Sequence, residues 1–259
     1  VVCIVAVDNG WGMERSAHHF KGITPAVLAV GGWFDAEDLA GPLRTYATLR
    51  ADSPATESHL VMGPWTHGSW ARGDGRTVGN LDFGQDASAW YREQVEFPFF
   101  MQHLTDKAVE PVAAATVFET GTNRWRTFDT WPPAGARETM YLGAAGTLSA
   151  SAPAETDAFD QYVSDPNRPV PYVGHVQMGM QRDYMTEDQR FATTRPDVLV
   201  YQTPALDEDL TVLGPIAVDL YVSTSGTDSD FVVKVIDVYP GDYPTPEWTG
   251  PVPEPANRV

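Results

Sequence analysis

The sequence contains one cysteine, Cys3, so no disulfide can form within the chain. It also contains no apolar run that approaches the length of a transmembrane helix. The first absence excludes a scaffold held by internal disulfides, and the second argues against a helix that crosses a bilayer. Both features are compatible with a soluble protein, secreted or periplasmic locations included, and the sequence leaves the compartment open.

Positive charge is scarce. The 259 residues include 17 Lys and Arg against 35 Asp and Glu, which gives a formal net charge of −18 at pH 7. Nucleic acids and anionic membranes are bound by basic surfaces, so the composition argues against both as partners. A small-molecule partner and a homo-oligomer both remain compatible with this composition. The length suffices for two domains or one large one.

Motifs for metals and phosphate-bearing cofactors are also missing. The chain has no H-E-x-x-H sequence, and its glycine-rich segment 68–84 lacks the lysine and the serine or threonine of a Walker loop. A metal-dependent hydrolase built on His67 and Asp74 therefore has no motif to support it. We expect neither a metal nor a cofactor.

The chain does contain a strand–helix–strand pattern with a polar residue after each strand. The apolar run Ala26–Val30 ends in two glycines and is followed by Asp35, and the run Leu60–Met62 is followed by His67. Loops that leave the carboxyl ends of neighbouring parallel strands can bring two such side chains together. A carboxylate against an imidazole fixes its tautomer and supports proton transfer, and the order acid-then-histidine occurs in α/β-hydrolases.

Two segments carry a more specific resemblance, GGWFDAEDL around Asp35 and VMGPWTHGSWARGDG around His67. They resemble the serine hydrolase family that includes cocaine esterase, the α-amino-acid ester hydrolases and the X-Pro dipeptidyl-peptidases. The resemblance extends from about Glu14 to about Glu247. It implies that Asp35 is the triad acid and His67 the triad base of an enzyme that cleaves acyl esters or amides.

The pattern of apolar and polar residues changes after a low-complexity stretch near residue 110. Helical periodicity predicts a helix over Asp86–Leu104 that Pro98 kinks or interrupts. It then gives way to short predicted strands between Gly and Pro turns, one of them Ile216–Ser223, where apolar and polar or small residues alternate. This pattern is typical of a β-sandwich or jelly roll.

We predict an α/β plus all-β chain. Residues 1–110 would form the C-terminal part of an α/β-hydrolase domain, and residues 116–259 an incomplete jelly-roll β-sandwich. The segment Val1–Val7 has the pattern of a strand but does not resemble the family.

A serine nucleophile should precede the acid on a G-x-S-x-G elbow, yet no serine in the chain fits. Ser16 lacks the flanking glycines, and Ser69 follows His67 in the wrong chain order. We therefore expect the C-terminal part of a larger hydrolase, inactive by itself, whose nucleophile and oxyanion hole lie upstream.

An acidic pair, Glu37 and Asp38, follows the candidate acid directly. The resemblance to α-amino-acid ester hydrolases implies that these carboxylates bind the α-ammonium group of a substrate. The alternative is structural, because acidic residues at a helix start are favoured by the helix dipole.

A second functional hypothesis is a non-catalytic β-sandwich that binds carbohydrate or a partner protein. Trp125, Trp131 and Tyr141 could provide a flat aromatic platform for a sugar. The alternative is that the three rings belong to a core or a domain interface.

Overall fold

The computed structural model describes residues 2–5, 20–155, 157–176, 178, 182, 184–241 and 243. Helices occupy α1 (Ala40–Asp52), α2 (Ala87–Tyr91), α3 (Phe97–Leu104) and α4 (Arg190–Thr193), a π-helical turn spans Arg92–Glu96, and short 3₁₀ turns lie at Ser69–Ala71, Ala144–Gly146 and Tyr184–Thr186. The strands are β1 (Val2–Val5), β2 (Val27–Gly32), β3 (Ser58–Gly63), β4 (Thr77–Val78), β5 (Leu81–Asp82), β6 (Ala115–Glu119), β7 (Arg124–Phe128), β8 (Tyr141–Gly143), β9 (Thr147–Ser149), β10 (Leu199–Tyr201) and β11 (Val232–Val235). Among the described helices, none combines the length and the apolar character that a membrane span requires.

The largest sheet has four strands in the order β2-β3-β6-β7. Strands β2 and β3 pair in parallel from Val27 opposite Ser58 to Gly32 opposite Gly63, and α1 makes the crossover between them. The predicted strand–helix–strand unit is therefore confirmed. Strand β6 continues the parallel sheet beside β3, and β7 closes that side as an antiparallel neighbour of β6.

Strand β3 is the centre of this sheet, and all of its residues are buried. Because side chains alternate across a strand, Leu60 and Met62 pack with Tyr46 of α1 on one face. Val61 packs on the other face with Trp65 and with Tyr91 of α2. A strand segment covered on both faces by packed side chains favours apolar residues, which explains the unbroken run LVM.

Strands β6 and β7 lie on the far side of the boundary that we expected between two domains. The sequence predicts both in the all-β region, yet β6 pairs with β3 and β7 pairs with β6, so both belong to the main sheet. Short apolar strands between turns have the same local pattern in a parallel sheet and in a sandwich, so only the pairing distinguishes the two. The division of the chain at 110–116 stays a prediction, whereas the sheet itself continues to Phe128.

The predicted helix from Asp86 to Leu104 is present but interrupted, as expected from Pro98. The π-helical turn at Arg92–Glu96 separates α2 from α3, and Pro98 lies in the first turn of α3. Proline has no N–H to donate to the preceding turn, so a regular α-helical ladder cannot run through this point.

The remaining described strands form small antiparallel sheets. Strand β1 lies between β10 and β11, so the N-terminal run predicted as a strand pairs with C-terminal segments. Strands β8 and β9 form a hairpin. Residues 216–223, predicted as a strand from their alternating pattern, form none, and Val218 and Val222 are exposed. Alternation produces a strand only where a neighbour is available for pairing, so the jelly roll stays a prediction.

Substitutions at Leu60 and Leu104 test how strongly the stability of the chain depends on this core. Leu60→Ala should lower the free energy of unfolding by about 2–5 kcal/mol, because Leu60 is fully buried in β3 and its removal leaves a cavity. Leu104→Ala is the matched control, since this side chain is 75% exposed, and it should change the stability by about 0.5 kcal/mol or less. Denaturant unfolding measures both. Equal losses for the two variants would contradict β3 as the centre of the core.

Candidate active site

The loops after β2 and β3 are held together by their backbones. The Trp33 N–H donates to Gly63 O at 2.9 Å, and the Phe34 N–H donates to Trp65 O at 3.0 Å. Gly32 makes this approach possible, because a Cβ at that position would lie 2.0 Å from Trp65 O. The glycines that end the first apolar run thus allow the two loops to run side by side.

Trp65 anchors the second of these loops. Its side chain is fully buried and packs against the rings of Trp70, Tyr91 and Trp125 at centroid distances of 6.1, 5.3 and 5.7 Å. A large aromatic side chain fixed in this way restrains the backbone that follows it. His67 therefore leaves the sheet from a rigid support.

Asp35 lies in the turn after β2, and its side chain is almost fully buried. Its Oδ1 accepts hydrogen bonds from the backbone N–H groups of Glu37 and Asp38, each at 2.9 Å. These two donors compensate the carboxylate for lost solvent and fix its orientation. The second oxygen, Oδ2, is left to face the neighbouring loop.

His67 meets that oxygen. Its Nδ1 lies 2.9 Å from Asp35 Oδ2, so the structure brings together the two residues that the sequence singled out. The imidazole is 54% exposed although its partner is buried, and the ring of Trp70 packs against it edge-on at 6.3 Å. Sequence reasoning did not identify Trp70 as a neighbour of His67. The available signal was its position in the short segment directly after His67, which forms a helical turn. The arrangement directs Nε2 towards solvent, where a general base needs its lone pair.

The acidic pair after Asp35 is split by the structure. Glu37 Oε2 lies 3.9 Å from His67 Nε2, and its side chain is 59% exposed. The Asp38 carboxylate instead accepts a hydrogen bond from the Gly41 N–H at 2.9 Å, in the first turn of α1. Asp38 thus satisfies a backbone donor at a helix start, while Glu37 faces the same space as the outer nitrogen of the histidine.

Among the described residues, Ser69 is not hydrogen-bonded to this histidine. Ser69 Oγ lies 2.7 Å from Thr66 Oγ1, and Ser16 lies outside the described residues. Among the residues that the structure describes, the charged neighbour of His67 Nε2 is Glu37. The described residues therefore present a carboxylate–imidazole pair whose imidazole ring is about half exposed to solvent.

The three aromatics of the carbohydrate hypothesis do not share a surface platform. Trp125 stacks on Trp90 at 4.4 Å and joins the core cluster around Trp65. Trp131 packs against Trp33 at 6.2 Å, while Tyr141 is exposed in β8. The first two rings are explained by packing between elements of the main sheet.

Two family descriptions match this chain. Residues 108–251, more than half of its length, match the X-Pro dipeptidyl-peptidase C-terminal non-catalytic domain. Residues 5–69 match the X-Pro dipeptidyl-peptidase (S15 family), and this range includes both Asp35 and His67. The chain is also 32% identical over 247 residues to a cocaine esterase from Rhodococcus sp. (strain MB1 Bresler), with 90% of this chain and 42% of that protein covered.

Solved structures agree with these matches. An aminopeptidase from the marine sediment archaeon Thaumarchaeota archaeon superposes with a TM-score of 0.67 at 37% identity, covering 74% of this chain and 32% of the other. An α-amino acid ester hydrolase superposes with a TM-score of 0.64 at 34% identity, covering 72% of this chain and 32% of the other. The chain thus spans less than half the length of the relatives it matches. On its motifs, its fold and its matched domains, the chain belongs to the X-Pro dipeptidyl-peptidase (S15) family.

Proposed function

We propose that this chain carries the acid and the base of a serine-type hydrolase that cleaves acyl esters or amides of small molecules. The observation that supports this most directly is the contact of 2.9 Å between His67 Nδ1 and Asp35 Oδ2, with Nε2 open to solvent. The similar proteins are an esterase, an ester hydrolase and an aminopeptidase, which all break bonds to an acyl group. In this proposal, the nucleophile is a serine outside the described residues.

The proposed reaction has two halves. His67 Nε2 takes the proton of the serine as the serine oxygen bonds to the substrate's carbonyl carbon, and the imidazolium then gives that proton to the leaving group. Water attacks the resulting acyl-enzyme by the same route, and His67 returns the proton to the serine. Asp35 holds the ring in place and stabilises the imidazolium through Nδ1.

Glu37 is the proposed contact for a substrate with a free α-amino group. An ammonium bound by its carboxylate would lie close to His67 Nε2, as the amine of an amino-acid ester lies close to the ester carbonyl. Asp38 is not part of this proposal, because its carboxylate is used at the start of α1. A second role for Glu37, stabilising the His67 imidazolium, predicts an effect on every substrate, so the two roles can be separated.

The architecture in this proposal is a hydrolase sheet that includes β6 and β7, followed by a β-sandwich in the remaining C-terminal residues. The match of 108–251 to the family's non-catalytic domain supports such a module. A carbohydrate-binding role has less support, because Trp125 and Trp131 are accounted for by packing.

Asp35→Asn tests the tautomer of the histidine. Oδ1 of residue 35 accepts from two backbone N–H groups, so the asparagine should keep its oxygen there and turn its NH₂ group towards His67. Nδ1 must then accept, and the proton of the neutral ring should move from Nδ1 to Nε2. Correlation of ring carbon-bound protons with ¹⁵N in NMR distinguishes the tautomers. Glu37→Gln is the control and should retain the Nδ1–H form; an unchanged tautomer in Asp35→Asn would contradict the geometry.

His67→Ala tests the base. In an enzyme form that contains this chain and turns over an ester, the variant should lower kcat by about 10⁴-fold, since the members of a triad act as a unit. Steady-state kinetics measure the loss. His175→Ala changes another exposed histidine and should leave kcat unchanged. A His67→Ala enzyme that keeps a tenth of the activity would exclude His67 as the base.

Glu37→Gln tests the substrate contact against Asp38→Asn as its neighbour. Glu37→Gln should lower kcat/KM for an α-amino ester relative to its desamino analogue by about fivefold, because an ion pair this exposed is worth about 1 kcal/mol at most. Asp38→Asn should not change this ratio. An equal loss on both substrates would show that Glu37 acts on the imidazolium and not on an ammonium group.

A further inference from the structure

A second cluster of ligand-type side chains lies at the opposite end of the main sheet. Glu57 directly precedes β3, His59 is the second residue of β3, and His103 lies near the end of α3. His67 follows the carboxyl end of the same strand, so β3 separates this cluster from the candidate active site. The proposed hydrolase function uses none of the three residues.

His59 is held in a single orientation. Its side chain is buried, and its Nδ1 lies 2.9 Å from Ala113 O. A carbonyl oxygen can only accept, so Nδ1 carries the proton and Nε2 has a free lone pair in the neutral ring. That nitrogen points at Glu57 Oε1, 3.2 Å away. Two acceptors face each other at this distance only if a proton or a cation lies with them.

His103 adds a third donor atom to the same point. Its Nε2 is buried, lies 3.6 Å from Glu57 Oε1 and has no hydrogen-bond partner among the described residues. The ring of Phe99 contacts both imidazoles, at centroid distances of 5.8 Å to His59 and 4.7 Å to His103, and so restrains their orientation. One proton between His59 and Glu57 would leave the His103 nitrogen unsatisfied, whereas a metal ion would satisfy all three atoms.

We propose that Glu57, His59 and His103 bind a divalent transition-metal ion of the zinc class. One ligand atom from each lies within 4.8 Å of the others, and ligands of a tetrahedral zinc ion, at bond lengths of about 2.0–2.1 Å, lie roughly 3.3 Å apart. Two imidazoles favour zinc, cobalt or nickel over calcium or magnesium. The hydrogen bond from His59 Nδ1 to a backbone carbonyl is the outer contact that metal-bound histidines make.

The surroundings complete the site. Gln102 Nε2 donates to Glu57 Oε1 at 2.9 Å and so orients the carboxylate, while Gln102 Oε1 is buried with no partner in the described part of the chain. A water molecule would supply the fourth ligand. Glu57 is about half exposed, which gives the ion a path of entry. A bound ion would tie the end of α3 to the start of β3, so its role is structural.

Titration of the purified chain with Zn²⁺ and Co²⁺ tests this site. One ion should bind per chain, the Co²⁺ form should show the strong visible absorption of four-coordinate cobalt, and Zn²⁺ should raise the melting temperature, because a ligand that binds only the folded state stabilises it. Absence of stoichiometric binding at micromolar metal would overturn the proposal.

Variants identify the ligands. Glu57→Gln and His103→Gln should each weaken Zn²⁺ binding by about 100-fold or more, since loss of an outer contact alone costs about 10–100-fold. Both side chains reach solvent, and circular dichroism without metal should show that both variants fold. His175→Ala, which removes one exposed histidine beside a single carboxylate, and His67→Ala should leave the affinity unchanged. Unchanged affinity in Glu57→Gln and His103→Gln would overturn the assignment, and a loss in His67→Ala would move the metal to the other site.

Discussion

The proposed site depends on the close approach of two loops at the carboxyl edge of a parallel sheet. Backbone hydrogen bonds between the two loops fix their separation, and only a residue without a side chain fits at Gly32 beside the carbonyl of Trp65. The burial of Trp65 then makes the second loop rigid. Asp35 and His67 meet because the backbones that carry them cannot move apart.

Within that frame, the two members of the pair have different environments, and the difference suits a base. The carboxylate is buried and held by two N–H groups, so it stays oriented without help from water. The imidazole reaches solvent with its outer nitrogen, where a nucleophile and a substrate can approach. Glu37 stands beside that nitrogen as a half-exposed charge, which suits tuning of substrate preference more than a large share of the binding energy.

The part of the structure that follows from local sequence was predictable. Two apolar runs, each followed by a polar residue, indicated β2 and β3, and the positions of Asp35 and His67 after these runs indicated their shared edge. The different surroundings of Glu37 and Asp38 were not predictable, because adjacent residues have the same sequence context and only the turn decides which carboxylate accepts from the Gly41 N–H.

Features that depend on contacts between residues far apart in the chain could not be predicted from the sequence. The membership of β6 and β7 in the main sheet is set by hydrogen bonds to β3, which no local pattern encodes. The cluster of Glu57, His59 and His103 likewise joins a strand to a helix that is far along the chain, so it has no motif spacing. The alternating pattern at 216–223 led to the wrong prediction of a strand, because a segment with this pattern forms no strand unless a neighbouring strand pairs with it.

The central claim is that His67, held by Asp35, activates a nucleophile that becomes acylated. Rapid mixing of an enzyme that contains this chain with a chromogenic ester measures this step directly, because a covalent intermediate releases the first leaving group in a burst. We predict a burst close to one equivalent in the parent enzyme and none in His67→Ala on the same time scale. A burst of equal size and rate in His67→Ala would contradict it.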